Sequence, residues 1–149
     1  MDDKSIILLL YMDDLFLTGN ENKISECKNK LATEFEMKDL GLMHYFIGLE
    51  IWQIPKGISL NQGKYAVEIL KRFDMLECKA MATPMDTYLN LFVDASSELV
   101  DVTLYRQIIG SLMYLTNAWL DICFAVNTLS ESLVEPRHVH LVAAKHVMK

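Results

Sequence analysis

The first twenty residues contain two apolar runs that are separated by a short acidic turn. Residues 6–12 form the first run, residues 15–18 form the second, and a Gly-Asn pair closes it. Apolar runs of this length that are bounded by turn residues are typical of buried β-strands. The pattern therefore predicts a hairpin of two buried strands with Asp13 and Asp14 at their junction.

A helical period follows this hairpin. Asn20 is suited to cap a helix, and the next segment keeps its apolar side chains on one face to about Phe35. That face carries Ile24, Cys27 and Leu31. We predict one amphipathic helix over this segment.

The segment from residue 42 to residue 60 returns to a strand pattern. Residues 42–54 are rich in β-branched and aromatic side chains, with Gly48 inside the run. A Pro-Lys-Gly turn signal follows at residues 55–57, and residues 58–60 are again suited to a strand. We predict a second hairpin whose first strand is residues 42–54.

Helical patterns dominate the second half of the chain. Asn61 is suited to cap a helix that continues through residues 64–73. A Thr-Pro pair at residues 83–84 interrupts the periodic pattern. Residues 86–101 mix polar and apolar side chains without a clear period, and we interpret them as a linker or loop.

Three more helices are predicted between Thr103 and the last residue. Each carries an apolar stripe at helical spacing. Asp121 is suited to cap the second helix, which a Glu-Pro pair at residues 135–136 ends. The third helix is predicted to begin near His138.

The composition is that of a packed chain with an acidic balance. Of the 149 residues, 52% are hydrophobic and 23% are charged, which is sufficient for a core and argues against disorder. The net charge is -6, from 14 basic and 20 acidic residues. Autonomous binding to nucleic acid is therefore disfavoured, because phosphate contacts need Lys and Arg.

Cysteine spacing and the length of the apolar runs exclude several other classes. Cys27, Cys78 and Cys123 are widely separated, so neither a zinc knuckle nor a disulfide framework is predicted. The apolar runs near the N-terminus are shorter than a membrane span, and the first residues lack the basic region of a signal peptide. We expect a cytoplasmic protein without a membrane segment.

Asp13 and Asp14 carry the clearest candidate chemistry in the chain. Adjacent carboxylates repel each other unless a cation lies between them, and oxygen ligands suit a divalent metal such as Mg²⁺. Asp is also a common turn residue, because its side chain bonds its own backbone. A purely structural turn is therefore the alternative interpretation of this pair.

The quartet at residues 11–14, Tyr-Met-Asp-Asp between two predicted strands, resembles the Tyr-x-Asp-Asp box of reverse transcriptases. Further segments that resemble the same family follow in the family's order. They are residues 35–41, 45–51, 64–66, 83–85, 105–106, 109–116, 121–122 and 125–127. The chain is thus similar, over essentially its whole length, to the reverse transcriptases of copia-type retrotransposons.

The resemblance implies roles for the four residues of the box. Asp13 would be a metal-ligating carboxylate, and Asp14 its neighbour, which ligates more weakly or shapes the site. Tyr11 and Met12 would lie under the primer terminus and the incoming nucleotide. The implied cofactor is a pair of Mg²⁺ ions, with Mn²⁺ as an alternative, and the implied reaction is RNA-directed DNA synthesis.

The resemblance also implies an α+β fold with two functional regions. Residues 1–61 would be the C-terminal part of a polymerase palm, with the catalytic hairpin and a second hairpin that grips the primer. The resemblance places this primer grip at residues 42–51, and there we assign it to Tyr45, Phe46 and Gly48. Residues 62–149 would be a helical thumb and connector region that stops before RNase H.

The partners implied by the resemblance are a template-primer of RNA or DNA, a deoxynucleotide, and the rest of a Pol polyprotein within a virus-like particle. The fingers and a first palm strand with a further metal-binding aspartate would lie upstream of this sequence. We therefore expect the isolated chain to be inactive. A non-enzymatic retroelement remnant and a domesticated protein-interaction module are the alternatives.

Other polar and aromatic residues have two interpretations each. His138 and His140 fall on different faces of a helix, which disfavours a metal site. Trp52 and Trp119 are interpreted as packing residues rather than base-stacking platforms.

Three basic residues of the helix after Asn61 share roughly one face and are candidates for phosphate contact. They are Lys64, Lys71 and Arg72. Because Glu68 lies among them, a solvated face is the equal alternative.

Overall fold

The computed structural model describes residues 5–55, 57–85 and 97–149. The chain divides into two compact units, Met1–Met43 (unit 1) and His44–Lys149 (unit 2). The described residues form five strands in two small sheets, five α-helices and one 3₁₀ turn, which confirms the α+β class. The functional boundary near residue 61 stays a prediction.

None of the helices in the described ranges is both long and apolar enough to cross a membrane.

Unit 1 is a β-hairpin followed by a helix. Strands β1 (Ile6–Tyr11) and β2 (Asp14–Gly19) pair antiparallel, and helix α1 (Glu21–Glu34) follows them directly. The Asn20 side chain accepts hydrogen bonds from the backbone N–H groups of Asn22 and Lys23 at 3.1 and 3.3 Å. Because these N–H groups have no partner inside the helix, Asn20 caps it as the sequence predicts.

The predicted burial of the first hairpin is wrong for this structure. The β1 side chains from Ile7 to Tyr11 are 45–66% exposed, and α1 buries no residue completely. The physical reason is that one hairpin and one helix supply too few layers to cover both faces of a sheet. The Lys28 ammonium, on α1, donates to Asp39 in the segment after the helix at 2.8 Å, and this hydrogen bond holds the pKa of the Asp39 carboxyl below its usual value.

Unit 2 begins with a three-stranded antiparallel sheet. Its strands are β3 (Tyr45–Phe46), β4 (Leu49–Ile54) and β5 (Gly57–Asn61). The predicted hairpin is present as β4 and β5, and Lys56 of its turn signal lies outside the described residues. The single strand predicted over residues 42–54 is wrong, because the chain reverses at Ile47 and Gly48. Both residues have positive φ, 46° and 75°, as one common type of two-residue hairpin turn requires.

Four helices complete unit 2. They are α2 (Gly63–Arg72), α3 (Val102–Leu115), α4 (Cys123–Ser130) and α5 (His138–Val147), and the 3₁₀ turn Leu120–Ile122 precedes α4. Residues 86–96 of the predicted linker lie outside the described part of the chain.

Two predicted helix caps and one helix end are corrected by the structure. Asn61 does not cap α2, because it pairs with Glu50 in the sheet, and Gln62 occupies the cap position without a side-chain hydrogen bond. Asp121 lies inside the 3₁₀ turn rather than at a cap. Helix α4 ends at Ser130, ahead of the Glu-Pro pair that was expected to end it.

The core of unit 2 lies among these helices. Its completely buried apolar side chains include Ile69, Tyr105, Ile108, Ile109, Val126, Leu129 and Ala144. The Tyr105 hydroxyl donates to the Leu129 carbonyl at 2.8 Å. Burial raises the pKa of Tyr105 to about 12, because the phenolate would be charged inside the core.

Candidate active site

The acidic pair lies at the tip of the β1–β2 hairpin. Tyr11, the last residue of β1, pairs with Asp14, the first residue of β2, so Met12 and Asp13 form a two-residue turn. Met12 has a φ of 51°, a left-handed conformation that is uncommon for a residue with a side chain. The first central residue of a two-residue hairpin turn adopts this conformation, as Ile47 also does, and the turn leaves the four residues of the box exposed.

Both carboxylates at the tip are exposed, and no ion pair among the described residues includes either one. Within the described residues, no group of three or more His, Cys, Asp and Glu side chains is placed to hold a metal ion. Mg²⁺ is commonly bound through one or two carboxylates together with water and substrate phosphates. Asp13 and Asp14 therefore fit as a partial ligand set for that ion.

The two other residues of the box are accessible to a ligand. Met12 is 81% exposed and Tyr11 is 45% exposed. The structure thus brings all four residues of the quartet together, because they are consecutive and share one tip. Their contacts with a primer and a nucleotide stay predictions.

The second candidate group lies on the sheet of unit 2. Tyr45 and Phe46 form β3, and Gly48 is the second residue of the turn that follows. Tyr45 is 58% exposed, and the Lys64 ammonium lies 5.9 Å from the centre of its ring. An exposed aromatic ring is chemically suited to contact a sugar or a base.

The positive charges of α2 are largely paired with acids. Lys64 lies 3.5 Å from the Glu50 carboxylate, which is nearly buried, and Arg72 lies 2.9 Å from Glu68. Two of the three basic residues that were candidates for phosphate contact thus already have anionic partners. This pairing favours the solvated-face interpretation of α2.

The histidines bond to the protein itself. His140 is nearly buried, and its Nδ1 accepts the backbone N–H of Arg137 at 3.0 Å while its Nε2 lies 3.3 Å from the Ser132 hydroxyl. His146 Nε2 lies 3.0 Å from the Thr83 carbonyl oxygen. The ring nitrogens of His140 and His146 thus contact groups of the protein itself.

Both tryptophans are more exposed than the packing role predicted for them. Trp52 on β4 is 60% exposed and Trp119 is 40% exposed, so neither is a core residue. Trp119 lines a cavity of about 220 Å³ between α2, α3, α5 and residues 81–84 of unit 2. That cavity contains none of the predicted site residues.

The pattern of the sequence did not indicate Tyr114. Its side chain, near the end of α3, reaches the Ile47–Gly48 turn, which is 67 residues away at Ile47. A glycine inside a strand pattern is a signal that another group approaches closely, but it does not identify that group.

Comparisons with known proteins agree with the resemblance. The family model for reverse transcriptase (RNA-dependent DNA polymerase) matches residues 1–87. The uncharacterized mitochondrial protein AtMg00810 of Arabidopsis thaliana is 41% identical to this chain over 95% of it and over 59% of that protein. The retrovirus-related Pol polyprotein from transposon RE1 of Arabidopsis thaliana is 37% identical over 98% of the chain.

A third relative, the retrovirus-related Pol polyprotein from transposon TNT 1-94 of Nicotiana tabacum, is 32% identical over 99% of the chain. The matched stretch is 10% of the RE1 polyprotein and 12% of the TNT 1-94 polyprotein, so the chain corresponds to a small part of each. No solved structure matches the chain.

Proposed function

This chain belongs to the reverse transcriptase family and is part of a copia-type enzyme, and from that premise we propose that it carries the catalytic hairpin of an RNA-directed DNA polymerase. The observation that carries the proposal is the two-residue turn between Tyr11 and Asp14. It places two adjacent carboxylates at the exposed tip of a hairpin, where a metal, a nucleotide and a primer end can meet.

In the parent enzyme, Asp13 would ligate the metal. Asp14 would either ligate the metal more weakly or shape the site. The primer 3′ hydroxyl would lose its proton to solvent water, and its oxygen would form a bond to the α-phosphorus of the deoxynucleotide. The bond from that phosphorus to the oxygen shared with the β-phosphate would break, and pyrophosphate would leave. Mg²⁺ or Mn²⁺, when bound, would neutralise the charge that develops on the attacking and leaving oxygens. Tyr11 and Met12 would support the reacting ends from the exposed tip.

The rest of the chain would handle the primer. The β3–β4 hairpin, through Tyr45, Phe46 and Gly48, would grip the primer, and the helices from α2 onward would form the thumb and connector. The partners would be a template-primer, a deoxynucleotide and the other parts of a Pol polyprotein, including fingers, the first palm strand and RNase H. The location would be cytoplasmic, within a virus-like particle.

The isolated 149-residue chain would not catalyse the reaction. Two exposed carboxylates are a partial ligand set, and a net charge of -6 opposes binding of a polyanionic template-primer. Purified chain incubated with primer-template, deoxynucleotides and Mg²⁺ should give no extended primer. Extension that disappears in Asp13→Asn would contradict this part of the proposal.

A chimera tests the catalytic role directly. The chain would replace the 148 matched residues of the RE1 polyprotein reverse transcriptase, and primer extension would be measured with Mg²⁺. We expect extension, and a loss of about 10³-fold in Asp13→Asn, since metal stabilisation of the transition state contributes several kcal/mol. Glu77→Gln is the matched control, because it removes one exposed carboxylate in unit 2. Equal activity of Asp13→Asn and Glu77→Gln would refute the role of Asp13.

A second candidate is a non-enzymatic protein, either a retroelement remnant or an interaction module. It is favoured by one comparison, because the same stretch occupies 59% of AtMg00810 and is therefore found in a protein much shorter than the polyproteins. Cooperative thermal unfolding of a monomer would weigh against a remnant without a stable fold. Binding of one defined partner that survives in Asp13→Asn would favour the module.

A further inference from the structure

The Ile47–Gly48 turn is in contact with a side chain of α3. The Tyr114 hydroxyl donates a hydrogen bond to the Ile47 carbonyl oxygen. Gly48 lies against the same hydroxyl, so a Cβ atom at this position would overlap it and would also lie 3.2 Å from the ring carbon Cε1. Gly48 thus serves two purposes, because it adopts the positive φ of the turn and leaves room for Tyr114.

Tyr114 is itself fixed by its neighbours in unit 2. The Tyr65 ring meets its ring edge to face, with the centroids 4.8 Å apart and the planes at 74°. Its backbone carbonyl accepts Gln62 Nε2 at 3.2 Å and Asn117 Nδ2 at 2.9 Å, and Gln62 is completely buried. The next residue, Leu115, belongs to the core. The Tyr114 hydroxyl is therefore held at a defined point beside the turn.

The position of the Ile47–Gly48 turn determines where Tyr45 lies. Strand β3 has two residues and two pairs, Tyr45 with Glu50 and Phe46 with Leu49. A strand this short is weakly held by its own ladder. An additional hydrogen bond at the turn therefore contributes a large share of what keeps β3 against β4.

We infer that Tyr114 is a positioning residue of the β3–β4 hairpin, which holds the Ile47–Gly48 turn through its hydroxyl and so presents Tyr45 to the primer strand. The presentation of Tyr45 to a primer rests on the proposed function, whereas the hydrogen bond and the close approach of Gly48 rest on the geometry alone. Tyr114 does not touch the primer and acts only through the turn.

The experiment compares Tyr114→Phe with Tyr65→Phe in the full chain. Both variants lose one hydroxyl and keep the edge-to-face ring pair. Among the described residues no hydrogen bond involves the Tyr65 hydroxyl, so Tyr65→Phe is a matched control. The first readout is hydrogen exchange at the Ile51 amide, which donates to the His44 carbonyl at 2.9 Å next to β3. The second is an NMR titration with a primer-template duplex at low ionic strength, which detects weak binding.

We expect Tyr114→Phe to raise the Ile51 exchange rate about fivefold and to weaken duplex binding by up to the same factor, as loss of one hydrogen bond implies. Tyr65→Phe should leave both readouts within about twofold of the parent chain. Tyr45→Ala should weaken duplex binding without changing exchange in α3.

Three results would overturn the inference. If Tyr114→Phe leaves Ile51 exchange unchanged, the hydroxyl does not hold the turn. If exchange rises but duplex binding is kept while Tyr45→Ala weakens it, Tyr114 does not position Tyr45, and the proposed primer grip still stands. If the duplex perturbs resonances elsewhere in the chain but none of residues 45–48, the primer grip fails together with the role assigned to Tyr114.

Discussion

Gly48→Ala is the substitution whose cost the structure defines most closely. Gly48 has a φ of 75°, and an alanine in such a sparsely populated region costs about 1–3 kcal/mol. The new methyl group would also overlap the Tyr114 hydroxyl, and overpacking of this kind adds about 1–3 kcal/mol. We therefore expect Gly48→Ala to lower the free energy of unfolding of unit 2 by about 2–6 kcal/mol.

Gly57→Ala separates the backbone cost from the overlap. Gly57 also lies in unit 2 and has a φ of 149°, but a Cβ atom there would meet no atom within 4 Å. Its replacement should cost only the backbone contribution of about 1–3 kcal/mol. Urea unfolding followed by tryptophan fluorescence is a suitable assay, because both tryptophans, Trp52 and Trp119, belong to unit 2.

Combining each glycine variant with Tyr114→Phe completes the test. Removing the hydroxyl should relieve part of the overlap in Gly48→Ala, so this pair should show a coupling free energy of about 1 kcal/mol or more. The pair of Gly57→Ala with Tyr114→Phe should be additive within about 0.5 kcal/mol. Additivity in both pairs would refute the reasoning, because it would mean that Tyr114 does not lie against Gly48.

Two further results are expected. Tyr105→Phe should cost about 1 kcal/mol at neutral pH through the lost hydrogen bond to Leu129. Tyr105→Phe should also reduce the loss of stability at alkaline pH. The pKa of Tyr105 in the folded protein is about 12, above the value of 10.0 expected without burial. The stabilising contribution of Tyr105 is therefore complete below pH 10 and is lost as the pH rises toward 12. Urea unfolding of both chains at pH 8, 10 and 11.5 measures this, and parallel curves would contradict it. Asn20→Ala removes the acceptor for two N–H groups at the start of α1 and should destabilise that helix by about 1 kcal/mol, which would appear as faster amide exchange in α1 but not in α5. Equal exchange in α1 would show that the cap contributes nothing.

The local patterns of the sequence predicted most of the elements correctly. The hairpin around the acidic pair, the cap at Asn20 and the helices α2, α3 and α5 all follow from spacing and turn chemistry within a few residues. These signals depend only on residues close together in the chain, and the structure contains the elements that they predict. The reverse-transcriptase assignment also came from the sequence, through the ordered motifs.

The errors arose where distant parts of the chain decide the outcome. Pairing with Glu50 keeps Asn61 in the sheet, although its residue type suits a helix cap. The strand break at Gly48 depends on a turn that a glycine permits but does not require. The contact of Tyr114 with Ile47 joins residues 67 positions apart, which no local pattern reveals. Burial of β1 was predicted from its composition, but composition does not show what covers a strand.

The most direct test of the central claim is to locate the divalent metal on the chain. Mn²⁺ would be titrated into the isotope-labelled protein while the paramagnetic broadening of each backbone amide is recorded. We expect the broadening to centre on Asp13 and Asp14 and to be lost in the double variant Asp13→Asn with Asp14→Asn. Asp2 and Asp3 are the chain's other adjacent aspartate pair, and their replacement by Asn should leave broadening at the tip unchanged. Broadening that persists at the tip without Asp13 and Asp14, or that never centres there, would contradict the claim that this hairpin is a polymerase metal site.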